Sequence, residues 1–189
     1  MSRAEEDGGG RLPCGCPPAW PEWDGRDVDL GGMLVQQTSF PCLLHMPVGY
    51  EARLFHQHET LRRLELHERW PGFVLSRTGL FRGQILCPLI EERSPLHGVY
   101  NLPAPFHLRC RVVKGDVGRI KPEVQAMQSA LIAEAKMPGA LYLAYLTCPR
   151  CQERRGGMRI MVLRHWRRSR KLAGRLRRRR GGRETGASG

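Results

Sequence analysis

From Met33-Leu34-Val35 to Pro41-Cys42-Leu43-Leu44 the chain carries its first apolar stretch, so ordered structure is predicted to begin near Gly32. Between Tyr50 and Glu68, Leu54, Phe55, His58, Leu61, Leu64 and Leu66 recur at spacings of three and four, the period of one helix face. Pro71-Gly72 breaks that pattern, and two short apolar runs follow, Phe73 to Leu75 and Ile85 to Ile90, parted by Thr78-Gly79 and Arg82-Gly83. They read as strands joined by a turn. Phe106 to Val112 alternates, as a half-buried strand does, and Pro122 then suits the first turn of a second helix. That helix carries Val124, Met127, Leu131 and Ile132 on one face, with Pro138-Gly139 as its stop. Leu141 to Leu146 is almost wholly apolar and reads as a buried strand, with Met158 to Leu163 as its return. The order of elements predicts an α+β body, a single small domain of short mixed strands and two to three helices.

The flanks read differently. Residues 1–31 hold Gly8-Gly9-Gly10, Pro17-Pro18 and several acids with little aliphatic content, a composition that predicts a disordered arm. The body then spans 32–163. Over 164–180, Leu163, Trp166, Leu172, Ala173 and Leu176 leave an apolar stripe at helical spacing while arginines cover the rest, which predicts an amphipathic helix; a disordered tail, 181–189, follows.

Charge sharpens this division. The formal net charge is +13, and Arg154 to Gly189 hold fourteen basic residues against one acid, so all of the surplus sits there. A neutral body with a cationic end implies an appended interaction element whose partners are nucleic acid, acidic protein surfaces or import receptors. Arg177 to Arg180, with Lys171 and Arg175 upstream, has the composition of a nuclear-import or nucleic-acid-binding segment. No apolar run approaches the length of a membrane span and no signal peptide opens the chain, so a soluble intracellular protein is expected.

The candidate chemistry is sparse. The chain has no glycine-rich phosphate loop, nucleotide fingerprint, nucleophile elbow or metalloprotease His pair, and Glu91-Glu92 diverge as adjacent residues do. His56 and His58 are expected at the surface and in the core respectively. Seven cysteines, an odd number, point to thiols or metal ligands. Cys148-Pro149-Arg150-Cys151 has the spacing that puts two thiolates on one zinc ion, between two predicted strands. A tetrahedral site needs two more ligands, for which Cys110 and His107 are taken, ahead of Cys87 and His67. Cys14 and Cys16 could ligate metal as a Cys-x-Cys pair, but in a flexible arm they read as free thiols. The alternatives for Cys148 and Cys151 are plain buried or surface thiols, and a redox dithiol.

Taken together, several strings resemble the 34-kilodalton protein family of adenovirus early region four, in that family's order. They are Phe40-Pro41-Cys42; Leu66-His67 before Pro71-Gly72; Tyr100-Asn101-Leu102-Pro103; Gly115-Asp116-Val117-Gly118 with Pro122; Ser129-Ala130-Leu131; Cys148 with Cys151; and the arginine-rich segment. The resemblance implies a non-catalytic viral adaptor of the host nucleus, shuttling to the cytoplasm. With the viral early-region-one 55-kilodalton protein it would recruit a host elongin-cullin ubiquitin ligase, to degrade host defence and DNA-repair proteins, and support viral mRNA export. It implies that Arg164, Arg167, Arg168, Lys171 and Arg175 serve nuclear retention and partner binding, continued by Arg177, Arg178, Arg179 and Arg180. The nearest approach to an elongin-binding box is Pro105 to Cys110, with Phe106 where the box has Leu, making Phe106 and Cys110 the expected contacts. The alternative is a nuclear protein that binds RNA or DNA through the arginine helix.

Overall fold

The structure, a computed structural model, describes residues 12–115 and 117–184, with side chains up to Arg178 except at Val117. The glycine run at 8–10, the end of the expected tail at 185–189, and the side chains of Arg179 and Arg180 lie outside the described residues. Among the described residues nine strands and three α-helices follow one another. They are β1 (Asp27–Asp29), β2 (Leu34–Leu43), β3 (Met46–Pro47), α1 (Tyr50–Arg63), β4 (Leu75–Arg77), β5 (Arg82–Pro88) and β6 (Val99–Asn101). Then come β7 (His107–Lys114), α2 (Ile120–Ala133), β8 (Lys136–Tyr145), β9 (Arg159–Arg168) and α3 (Arg170–Glu184). The mixed α+β class is as expected.

All strands belong to one antiparallel sheet in the order β1-β7-β9-β8-β4-β5-β2-β3, with β6 also on β2. Its two halves meet at β4 and β8 through a single pair, Ser76 with Leu143. One core joins them: Val35, Leu75 and Leu86 from the first half are buried with Leu108, Tyr142, Met161 and Leu163 from the second. The outer face of each half carries one helix. Leu61 of α1 packs with Leu34, Phe40 and Ile85, and Met127 and Leu131 of α2 pack with Ile160, Val162 and Trp166. Strand β9 alternates accordingly, Met161 and Leu163 toward the shared core, Ile160 and Val162 toward α2, as period-two geometry requires.

Helix α1 stops at Arg63 rather than continuing toward Glu68, because Glu65 takes φ 53°, a left-handed conformation that ends the hydrogen-bond ladder. Phe55 accordingly misses the core and is 68% exposed, while His58 is buried and His56 exposed, as expected. Helix α2 ends before Pro138-Gly139 for the same reason, Ala135 at φ 58°, so that dipeptide sits at an irregularity in β8 instead of stopping a helix. At Gly139 a Cβ would stand 2.6 Å from His165 Nδ1, which explains the glycine.

Three boundaries need correction, the simplest being that α3 runs to Glu184, so residues 181–184 of the expected disordered tail are helical. Residues from Leu12 onward are not a disordered arm: β1 pairs with β7 from Asp27 opposite Arg109 to Asp29 opposite His107, and Trp20 and Trp23 pack on the shared core. Nor does the arginine helix begin at Arg164. Strand β9 runs on through Arg168, pairing with Lys136 of β8, so ladder hydrogen bonds override the helical spacing of the side chains. The helix starts after Ser169, whose Oγ accepts the Leu172 N–H at 3.3 Å as an N-cap.

An ion network ties β1 to the α2–β8 connection. Arg109 meets Asp27 and Glu134 at 2.7 Å each, and Lys136 meets the same two acids at 2.6 Å. Arg109 and then Lys136 lower the Glu134 pKa to about 2 from 4.5. A folded pKa below the unfolded value contributes stability that is present above pH 4.5 and lost as pH falls toward 2. Glu134→Gln should therefore flatten that part of the stability-pH curve, as measured by urea melts across the acid range. Leu131→Ala, at a fully buried position against β9, should cost about 3 kcal/mol in the same assay at neutral pH.

Candidate metal centre

The β8–β9 connection folds around its cysteines. The Cys148 carbonyl accepts the N–H groups of Cys151 at 3.0 Å and Gln152 at 2.9 Å, closing a tight knuckle, and Cys151 Sγ accepts the Cys148 N–H at 3.3 Å. Thr147 braces the loop from below: its hydroxyl accepts the Arg159 N–H at 2.7 Å and bonds the Gly157 carbonyl at 3.2 Å. Both thiols consequently point to one side, with Sγ atoms 3.9 Å apart.

The other two thiols come from the arm. Gly15, at φ 83°, lets Leu12 to Cys16 turn back on itself, with Gly15 N–H on the Leu12 carbonyl at 2.8 Å. Gly72 backs this turn so closely that a Cβ there would meet Gly15 O and Pro17 N at 3.0 Å. Arg155 fastens the arm: its Nη1 donates to the Pro17 carbonyl at 2.6 Å and its Nη2 to that of Pro18 at 2.8 Å. The same guanidinium lies 4.8 Å from the Trp20 ring centroid. Cys14, Cys16, Cys148 and Cys151 thereby bring their sulfurs within 4.8 Å of one another.

That arrangement suits a metal. Four sulfurs at about 2.3 Å from a zinc ion stand about 3.8 Å apart in a tetrahedron, so the knuckle pair is already spaced for it. The thiols are electrostatically unequal. Burial raises the Cys16 pKa, and its thiol neighbours raise it further. Burial works the same way on Cys148, but the N–H of Arg150, the Cys16 thiol, the N–H of Cys151 and the Cys14 thiol outweigh it and lower the pKa to about 7. A cluster with one thiolate available near neutrality and three further thiols around it offers a first ligand to an incoming cation, whose charge then ionises the others. The four cysteines could thus hold one metal ion, and the donor set fits zinc.

Of the expected ligands, the structure brings Cys148 and Cys151 together and leaves Cys110 and His107 elsewhere. Cys110 lies in the shared core of β7, fully buried, its pKa raised to about 12 by burial. His107 stacks on Trp166 at 4.4 Å and pairs with Asp29 at 3.5 Å. The expected elongin contacts need the same correction, since Phe106 and Cys110 face the core and present no surface to a partner. Arg164, Arg167 and Arg168 lie on β9, whereas Lys171, Arg175, Arg177 and Arg178 are exposed on α3. The other two members of the cluster, Cys14 and Cys16, did carry a signal: one Cys-x-Cys and one Cys-x2-Cys make four potential donors. Their distance along the chain and the composition around them hid it.

No protein-family model matches the chain, and no match is found among the curated proteins or the solved structures.

Purified protein should bind one zinc per chain, measured by elemental analysis. Cys16→Ser should abolish that stoichiometry, whereas Cys42→Ser should leave it intact. Because the thiols must ionise to bind, zinc retention should fall below pH 7 by about tenfold per pH unit for each thiol that must lose its proton, read by competition with a chromogenic chelator.

Proposed function

We propose that this chain is a non-catalytic nuclear adaptor of the early-region-four 34-kilodalton class, with a structural zinc held by Cys14, Cys16, Cys148 and Cys151. In this reading it joins a viral partner to a host elongin-cullin ubiquitin ligase, directs degradation of host defence and DNA-repair proteins, and supports viral mRNA export. The observation that supports it most is a corner of the sheet where large apolar side chains stand in solvent. Leu43, Leu44 and Met46 at the β2–β3 turn, and Leu80 and Phe81 at the β4–β5 turn, are all exposed, Phe81 at 70%. Register brings the two turns side by side, since Pro41 pairs with Arg82 and the Cys42 N–H reaches the Phe81 carbonyl at 2.9 Å. Leu44 and His45 hold φ of 49° and 69° there, a conformation that costs a non-glycine residue energy. Exposed apolar patches of this kind mark protein interfaces.

The adaptor thus offers two faces to different partners: the apolar corner for the ligase or the viral protein, and the arginines of α3 for import receptors. The second reading, a nucleic-acid-binding protein, draws on Arg167 and Arg168 at the end of β9, which continue into exposed Arg170, Lys171 and Arg175. The deciding experiment is affinity purification of the chain from cells that also make the viral 55-kilodalton partner, probing for elongins and a cullin. Their recovery is expected, and Leu44→Asp with Phe81→Asp should reduce it about tenfold or more without altering zinc content. Absence of the ligase from the wild-type complex removes the adaptor reading.

A further inference from the structure

Between the arm and the Lys114–Arg159 end of the β7–β9 ladder lies a cavity of about 310 Å³, walled by Trp20, Glu22 and Arg26 from the arm and by Lys114 and Arg159 from the sheet. Lys114 and Arg159 are paired across β7 and β9, so the two cations stand side by side. Arg159 is held at the backbone, its N–H on Thr147, yet its side-chain Nε is buried without a hydrogen-bond partner among the described residues. A buried guanidinium donor left without an acceptor is costly. It is the mark of a group that an anion would complete.

The other walls narrow the ligand. Trp23 is committed to Trp70 and Phe73, at 5.0 and 5.7 Å, and Asp24 accepts the Val112 N–H at 2.8 Å. Trp20, with the Arg159 guanidinium 5.9 Å from its ring centroid, lines the cavity together with Glu22 and Arg26. Trp20 is braced by Arg155, a rigid indole of the kind on which nucleobases stack. Glu22 is an exposed carboxylate that can accept from an amino group. A bare cation would suit the indole and the acid but not three basic side chains, and a bare phosphate would use neither Trp20 nor Glu22.

We propose that this cavity binds a nucleotide, its phosphate on Arg159 and Lys114, its base on Trp20, and an exocyclic amino group of that base on Glu22. This goes beyond the adaptor reading and does not depend on it. The site is distinct from α3, whose arginines would hold any polyanion. One wall is the arm that Cys14 and Cys16 anchor, so stripping metal should also weaken the site, but the assignment rests on the substitutions below and not on the metal.

The test titrates the full chain with cytidine monophosphate, uridine monophosphate, inorganic phosphate and an oligocytidylate of about 12 residues, following tryptophan fluorescence and heat of binding. Cytidine monophosphate should quench fluorescence and bind more tightly than phosphate or uridine monophosphate. Arg159→Gln and Lys114→Gln should each weaken it about tenfold, Trp20→Phe should remove the quench, and Glu22→Gln should erase the preference for cytidine. Lys114 is exposed at a strand end, so its variant stays informative even if Arg159→Gln fails to fold. An oligomer bound more tightly than the mononucleotide, and still sensitive to Lys114→Gln, assigns a single strand as the source; equal affinities assign free nucleotide. Equal binding of phosphate and cytidine monophosphate overturns the proposal. So does binding that ignores both Trp20→Phe and Lys114→Gln.

Discussion

The arm between Leu12 and Asp29 returns across the sheet, and the closure of the fold depends on that return. Without it the shared core would lose the cover of Trp20, Trp23 and Val28, and β7 would be an open edge with unpaired backbone groups. Composition alone cannot hold such a segment, because glycine, proline and acids bury too little area to offset their ordering entropy. Point attachments do it instead: three residue pairs to β7, the Arg109 network, the Arg155 clamp on two proline carbonyls, and the four thiols. Each spans a large sequence separation, so each closes a long loop, and the cost of closure grows only slowly with length. Once one attachment is made the others come cheaply, which makes the arm cooperative with the body.

This explains where sequence reasoning succeeded and where it failed. Local signals carried the body well. The alternation around Phe106 to Val112 became β7, and the apolar run at Leu141 lies within β8. Of the expected face, Val124, Met127 and Leu131 became the inner side of α2, while Ile132 stands exposed. Errors fell where a distant partner decides. Trp166 has helical spacing to Leu163, but β8 lies alongside and claims it as strand, and Lys136 then sits over its ring at 4.3 Å. Cys110 has a sequence position as good as that of Cys148 for ligation, yet its alternation phase points it inward with Leu108, which only the pairing of β7 with β9 fixes. The arm failed for the same reason, since Arg155 and the knuckle thiols that order it lie more than a hundred residues away.

The thiol cluster and the aromatic arm are therefore parts of one device. Cys16 precedes Pro17 and Pro18, whose carbonyls receive Arg155, and Arg155 in turn lies over Trp20. A disturbance at the thiols has a short covalent path to Trp20, four residues from Cys16. Gly72 makes the coupling two-sided, because the turn it occupies also carries the Gly72 N–H to Glu68, bonded at 2.6 Å, and Glu68 pairs with buried His58 of α1 at 2.8 Å. The thiol cluster thus contacts, through one glycine, a buried hydrogen-bonded pair, His58 with Glu68, that anchors the helix of the opposite half of the sheet.

That geometry bears on how the two halves are joined although only Ser76 and Leu143 pair between β4 and β8. A single bridge leaves the halves free to hinge, and the shared core resists hinging only while its rim is covered. The cover comes from the arm on one side, with Trp23 edge-on to both Trp70 and Phe73 of the first half while its neighbours cling to β7 of the second. The aromatic cluster draws on both halves, and the thiols of Cys14 and Cys16 lie at the start of the arm that completes it. The thiols sit at that joint, where restraint has the longest lever.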